Sequence, residues 1–339
     1  MLLPIRMEKI MPESKRLTEG IKWADGIKSR LTSESFLYVM KRILFALLTV
    51  FAVITVTFFV MNAVPGGPFQ SEKNLPESVI AELEAKYGLD KPLIVQYFNY
   101  IKGIFLDLDF GPSIKKEGRA VIDIIADGMK TSFGIGASAA LIAAVVGVCL
   151  GAYAAVKRGR LQDRIIMVIT TAFVSMPSFI IGTLLLLIFA IGLGIFPANG
   201  AASGGLILPI ITLSLYPTAY ITRLVRSSML DVLSSDYIRV AKAKGVSKIG
   251  VIFTHALKNA LIPAITYFGP MLANIVTGSL VVEKIFAVPG IGRAFVGSVT
   301  GRDYPLIMGT TIVFSVLIVV MNLISDLLYK LCDPRIRLR

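Results

Sequence analysis

The chain has 339 residues, 55% of them hydrophobic and only 17% charged, with a mean hydropathy of +0.75. Ordinary soluble domains carry roughly 25% charged residues, so this composition excludes a soluble fold and describes a polytopic, all-α membrane protein. One histidine, His255, and two cysteines, Cys149 and Cys332, exclude a zinc site, a haem protein or a disulfide scaffold built by this chain alone.

Residues 1–39 are charged and hold no apolar core of signal-peptide length. They read as a cytoplasmic extension: either an amphipathic lead, with Ile21, Trp23, Ile27 and Leu31 loosely helical in spacing, or the product of an upstream start, since Met40-Lys41-Arg42 is itself a natural beginning. Six spans are expected, at 40–63, 131–156, 165–193, 206–224, 260–282 and 306–331, each near the 20 or so apolar residues that cross a bilayer. The extracytoplasmic loop 64–130 reads as folded. Asn74 and Pro76 stand where a helix cap and first turn belong, and Val79, Ile80, Leu83 and Tyr87 then mark one face. A second amphipathic stretch after Pro92 carries Tyr97, Phe98, Tyr100 and Phe105, which suit either the membrane–water interface or a docking surface for another protein.

Charge sets the orientation. With the N-terminus inside, cytoplasmic segments hold 24 of the 35 Lys and Arg, and the outer connections hold 11. Eight of those 11 lie in the long first loop, where ten acids outnumber them. The positive-inside rule therefore puts both termini in the cytoplasm and accounts for the net charge of +13 without nucleic acid.

The connection after the fourth span, with its coupling segment at 231–259, is too long for a turn and too regular for a tether. From Asp236 and Tyr237 through Arg239 it reaches Ala241, Lys242, Ala243, Lys244 and Gly245. Small residues at Ala241 and Ala243 offer a closely approachable face, Gly245 suits a helix C-cap, and cations near that end complement the helix dipole. The segment reads either as a solvated basic surface helix or as a helix–bend–helix lever that inserts into another subunit.

Helix breakers and small polar residues mark the path candidates. Met176 and Pro177, beside Ser175 and Ser178, interrupt the third span; Pro209, Thr212 and Pro217 stand in the fourth; Asn274, Thr277 and Ser279 stand in the fifth with Pro263, Gly269, Pro270 and Gly278. Such breaks are tolerated where protein or a water-filled cavity satisfies the freed backbone, although Gly278 and Ser279 equally suit close helix packing.

Several ordered motifs now carry a resemblance. AKAKG at 241–245 followed by HALKNALIP at 255–263 resembles the coupling motif of ABC-importer permeases in its peptide-transport form. VVEKIF at 281–286, PGIG at 289–292 and RDYP at 302–305 are similar to an outer loop of those permeases. PGGPF at 65–69, YGLDKP at 87–92 and DFGPS at 109–113 resemble the first outer loop of oligopeptide permease subunits. Arg239, where the wider family carries glutamate, and Lys258, where it carries proline, are departures in keeping with the peptide branch.

The resemblance spans residues 40–334 and implies a type I ABC importer permease fold, with a core at 131–331 and a cytoplasmic tail at 332–339. It implies a second related permease subunit, two P-loop ATPase subunits holding ATP and Mg, an extracytoplasmic peptide-binding protein and a peptide substrate, all at the cytoplasmic membrane among its lipid. It makes the coupling residues those from Asp236 to Gly245, and the outer-loop contact candidates Glu283, Phe286, Pro289 and Gly290. PGGPF favours oligopeptides over dipeptides, nickel or modified sugars. The residues support the division of labour: no G-x-x-x-x-G-K-S/T phosphate loop occurs, so ATP chemistry is expected on a partner and the chain itself is expected to be neither enzyme nor cofactor holder.

Rival classes fit less well. A proton- or sodium-driven carrier needs titratable groups at membrane depth, yet the first five expected spans hold, besides tyrosines and Cys149, only the boundary residues Lys41, Arg42 and Arg223, and the sixth holds Asp326. An intramembrane hydrolase lacks any G-x-S-x-G or H-E-x-x-H. A channel subunit has no use for the helix–bend–helix of the coupling segment.

Overall fold

The computed structural model describes residues 40–69 and 76–332, with the side chains of residues 274, 276–279 and 326–332 outside that description. The expected extension at 1–39, Asn74 and, apart from the backbone of Cys332, the tail therefore lie outside the described residues. The chain divides into two units, Met1–Thr49 with Arg335–Arg339, and Val50–Pro334. Of the first, the described part is the opening of helix α1 (Met40–Ala63), where the Thr49 hydroxyl donates to the Phe45 carbonyl at 2.7 Å.

The second unit continues α1 and adds α2 (Glu77–Tyr87), α3 (Leu93–Lys102), α4 (Val121–Val156), α5 (Leu161–Ser175), α6 (Ser178–Leu185), α7 (Ile207–Leu233), α8 (Asp236–Ala243), α9 (Lys248–Gly250), α10 (Lys258–Ala260), α11 (Ile262–Ile285), α12 (Ile291–Gly301) and α13 (Tyr304–Cys332). Wider π turns extend α3 over Gly103–Asp107 and α6 over Leu186–Gly192, and join α9 to α10 over Val251–Leu257. Among the described residues the β pairing is one antiparallel bridge, Pro112 to Ala120. Among the described residues four helices are long and apolar enough to cross a membrane, or up to six if each of two bent pairs is one span.

The spans differ from expectation in three places, the simplest being α7, which runs to Leu233, nine residues beyond 224. The second span begins at Val121, ten residues before 131, which makes α4 36 residues and about 54 Å long at 1.5 Å per residue, well beyond a bilayer core. The added turns are held by burial of Val121, Ile124 and Ile125 against Ile291 of α12 and Leu306 of α13. The third span is broken: α5 and the α6 segment meet at 106° across Met176 and Pro177. Pro177 has no N–H and drives Met176 into extended backbone, φ −90° and ψ 131°.

Both halves of the bent segment contact α7. Asp163 meets Arg226 near one end, the break faces Tyr216 and Pro217, and a methyl at Gly182 would stand 3.1 Å from the Thr212 side chain near the other. The stretch of α7 from Thr212 to Arg226 rises about 21 Å, so the contacts of α5 and α6 are spread along α7 and not gathered at one end of it.

Helix α7 is the central element. Its Ile221, Val225 and Met229 meet Ala140 and Ala143 of α4, Ile238 of α8 and Met271 and Ile275 of α11 in one buried cluster. Lipid is as apolar as these side chains, so the contact stabilises through close packing and not through removal from water. Gly147 and Gly151 allow it: a Cβ at Gly151 would stand 2.7 Å from the Thr222 carbonyl, and one at Gly147 2.8 Å from the Ile221 side chain.

The outer loop is folded, as its pattern implies. Tyr97 of α3 packs edge-on against Phe58 of α1 at 5.4 Å and shares a 2.8 Å hydrogen bond with the Thr55 hydroxyl, while Phe98 and Phe105 stay exposed. Burial in the same cluster pushes the Tyr100 phenol pKa well above its ordinary value.

Candidate coupling and translocation sites

Helix α8 starts after extended Ser235 and ends in a left-handed turn at Gly245, φ +83°. The Gly245 N–H donates to the Lys242 carbonyl at 3.0 Å and the Val246 N–H to the Ala241 carbonyl at 3.2 Å, the paired bonds of a Schellman cap. Ser247 then caps α9 by accepting from the Gly250 N–H at 3.2 Å. The chain therefore turns sharply here because one residue without a Cβ takes the left-handed conformation and its neighbours satisfy the orphan carbonyls.

The two faces of α8 are distinct. Ile238 and Ala241 are buried in the chain's own core, whereas Tyr237, Arg239, Val240, Lys242, Ala243 and Lys244 are exposed, with Arg239 paired to Asp236 at 3.2 Å. Ala241 is thus small for packing inward, and Ala243 alone of the two alanines lies on the outward face. The Tyr237 hydroxyl accepts from Asn259 Nδ2 at 2.9 Å, which ties α8 to the segment before α11. Exposed Ile249 and Phe253 extend the apolar surface beyond the bend.

At the break in the third span lies a cavity of about 390 Å³. Met176 and Pro177 line it, with Ser175 and Ser178, facing Thr212, Tyr216 and Pro217 of α7 and Tyr267, Met271 and Ile275 of α11. Asn274, Thr277 and Ser279 are on α11, and their side chains are outside the description. The aromatic members of this lining, Tyr216 and Tyr267, escape sequence reasoning, because an aromatic residue in an apolar span carries no signal by itself. The Asp163–Arg226 pair escapes it for a related reason: both residues sit in segments whose charges topology already accounts for.

At the opposite end of α11 from α10, Glu283 is fully buried. Its Oε1 accepts from the Ser132 hydroxyl at 2.7 Å, and its Oε2 from the Gly292 and Arg293 N–H groups at 2.8 and 3.2 Å, so the carboxylate satisfies the first turn of α12. Phe286 and Gly290 are buried as well, and of the four outer-loop contact candidates Pro289 is the exposed one. Glu283 thus joins α11, α12 and α4, and Phe286 packs among Ile135 and Ala139 of α4 and Leu208 and Leu213 of α7.

The outer motifs, far apart in sequence, meet through Asp303. It accepts from the Ser113 hydroxyl, from the Ile114 and Lys115 N–H groups at 3.1 and 3.3 Å, and from the Leu306 N–H at 3.4 Å. The neighbouring Tyr304 hydroxyl donates to the Gly66 carbonyl at 3.2 Å. PGGPF, DFGPS and RDYP are thus parts of one construction.

Comparison with known proteins places the chain in a family. The family described as binding-protein-dependent transport system inner membrane component matches residues 147–338, and its N-terminal companion matches residues 35–127. The chain is 47% identical to the dipeptide transport system permease protein DppB of Bacillus subtilis over 89% of its length and 98% of that protein. It is 44% identical to the oligopeptide transport system permease protein OppB of Haemophilus influenzae over 88% and 99%. The solved structure of the MetNI methionine ABC transporter in inward-facing conformations is similar in fold, with a TM-score of 0.54 at 18% identity, covering 62% of this chain and 97% of that one.

Proposed function

The chain belongs to the binding-protein-dependent transport system inner membrane component family, multi-pass permease subunits of ABC transporters, and from that premise we propose that it imports oligopeptides across the cytoplasmic membrane. In this reading it forms the path with a second, related permease. Two ATPase subunits bind and hydrolyse ATP with Mg, and an extracytoplasmic binding protein delivers the cargo. Both termini and the coupling segment 231–259 are cytoplasmic, and loop 64–130 is outside.

The observation that carries the reading is the Schellman-capped α8, whose buried Ile238 and Ala241 anchor it to the chain's core while Tyr237, Val240, Lys242 and Lys244 face outward. A short helix rigidly seated on the α7–α11 cluster transmits a push to the spans, where a tether would absorb it. Nucleotide-driven closure of the ATPases then biases the spans between two arrangements. Met176, Pro177, Asn274, Thr277 and Ser279 are assigned to the path, and Pro289 to contact at the outer face.

A dipeptide importer is the second reading, favoured by the 47% identity to a relative named for dipeptides. The test is reconstitution of this chain with its second permease and ATPases in liposomes, with the binding protein and peptides of two to six residues added. Peptide accumulation and binding-protein-stimulated ATP hydrolysis, strongest above two residues, are expected. Preference for dipeptides would move the reading to its alternative, and ATP hydrolysis indifferent to binding protein and peptide would overturn both.

A further inference from the structure

Tyr267 of α11 lines the cavity at the broken span, and its hydroxyl is buried with no hydrogen-bond partner among the described residues. Its ring stands 4.2 Å from that of Tyr220. Leaving a buried hydroxyl unpaired is costly, and native proteins rarely do so without a use for the group.

The rest of the lining shows what would pair with it. Pro217 carries no N–H, so the carbonyl of Leu213, a lining residue, has no helical donor four residues on. Ser175, Ser178 and Tyr216 add hydroxyls, each able to donate or accept. No lining residue is charged, in contrast to the cavity beside α12, which carries Lys115, Lys116, Arg119 and Arg293 with Asp127 and Asp303. An ion or a charged terminus finds no counter-charge here. An amide, which must both donate and accept, finds both.

We propose that this cavity binds the main chain of the transported peptide, with the Tyr267 hydroxyl bonded to a peptide amide and the proline-freed Leu213 carbonyl accepting a peptide N–H group. The inference rests on the peptide-importer reading and adds where and how the cargo is held. Amides crossing at membrane depth need partners at every level, and hydroxyls and bare carbonyls supply them without regard to side chains. One cavity thereby serves many sequences.

The test uses the reconstituted complex with Tyr267→Phe, which removes one oxygen and preserves the ring. Uptake should fall about threefold to tenfold, the contribution of one hydrogen bond, while binding-protein-stimulated ATP hydrolysis persists. The loss should be equal for neutral, acidic and basic peptides. In a second measurement, a membrane-permeant maleimide should label Met176→Cys more slowly during peptide transport. Unchanged uptake by Tyr267→Phe, a loss confined to one side-chain class, or labelling of Met176→Cys indifferent to peptide would each overturn the proposal while wild-type uptake leaves the importer reading standing. Absence of wild-type peptide uptake would remove that reading and the proposal with it.

Discussion

Arg226 grips Asp163 through two parallel hydrogen bonds, Nε to Oδ1 at 2.6 Å and Nη2 to Oδ2 at 2.8 Å, and the Gly159 N–H adds a third to the carboxylate at 2.9 Å. Asp163 is only 3% exposed. The pair fastens the start of α5 to α7 at the end of the broken span where the coupling segment follows.

Breaking a buried pair by removing one partner typically costs about 3–5 kcal/mol, because the remaining charge is stranded, whereas replacing both with apolar residues is often neutral. Asp163→Leu and Arg226→Leu should each lower the melting temperature of the detergent-solubilised chain strongly. The double variant should recover most of the loss. Additive losses in a double-mutant cycle would mean the two side chains do not act as a unit.

At the α4–α7 contact, Gly151→Leu should be severely destabilising, since even its Cβ meets the Thr222 carbonyl at 2.7 Å and the Val225 side chain at 2.8 Å. Overpacking of this kind costs about 1–3 kcal/mol or more. On the same helix, a Cβ at Gly134 meets nothing within 4 Å, so Gly134→Ala should be neutral or slightly stabilising. Denaturant unfolding in mixed micelles compares the two directly.

Gly245 makes a different prediction, because a Cβ there also meets nothing within 4 Å and only its φ of +83° restricts the position. Asn tolerates the left-handed region and a β-branched residue does not. Gly245→Asn should therefore keep uptake coupled to ATP hydrolysis, and Gly245→Val should uncouple it with membrane insertion intact. Equal coupling in both variants, or in Gly245→Trp, would remove the cap from the coupling mechanism.

The charge distribution predicts the side on which Arg339 lies. A tag placed after it should resist protease added to sealed right-side-out cells and be cut once they are opened. Digestion from outside would reverse the topology and with it the assignment of α8 to the ATPase side.

Much of this molecule is legible in one dimension. Long apolar runs mark spans because a bilayer forces every backbone group into helical bonds. Gly245 and Pro177 announce a cap and a break because each limits its own backbone. What Glu283 does is not legible that way: an acid at the expected mouth of a span reads as a surface contact until α12 is seen folding its first turn onto the carboxylate.

Class, most of the spans and the short helix that Gly245 ends are readable from the residues alone, since they follow from local composition and from side chains that act on their own dihedral angles. Three-dimensional packing was needed to show that the third span bends by 106°, that Ser113 and Asp303 join two distant motifs, and that Tyr267 faces a break made by Pro177. Those relationships depend on side chains up to 190 residues apart reaching one another, and chain spacing does not encode such distances.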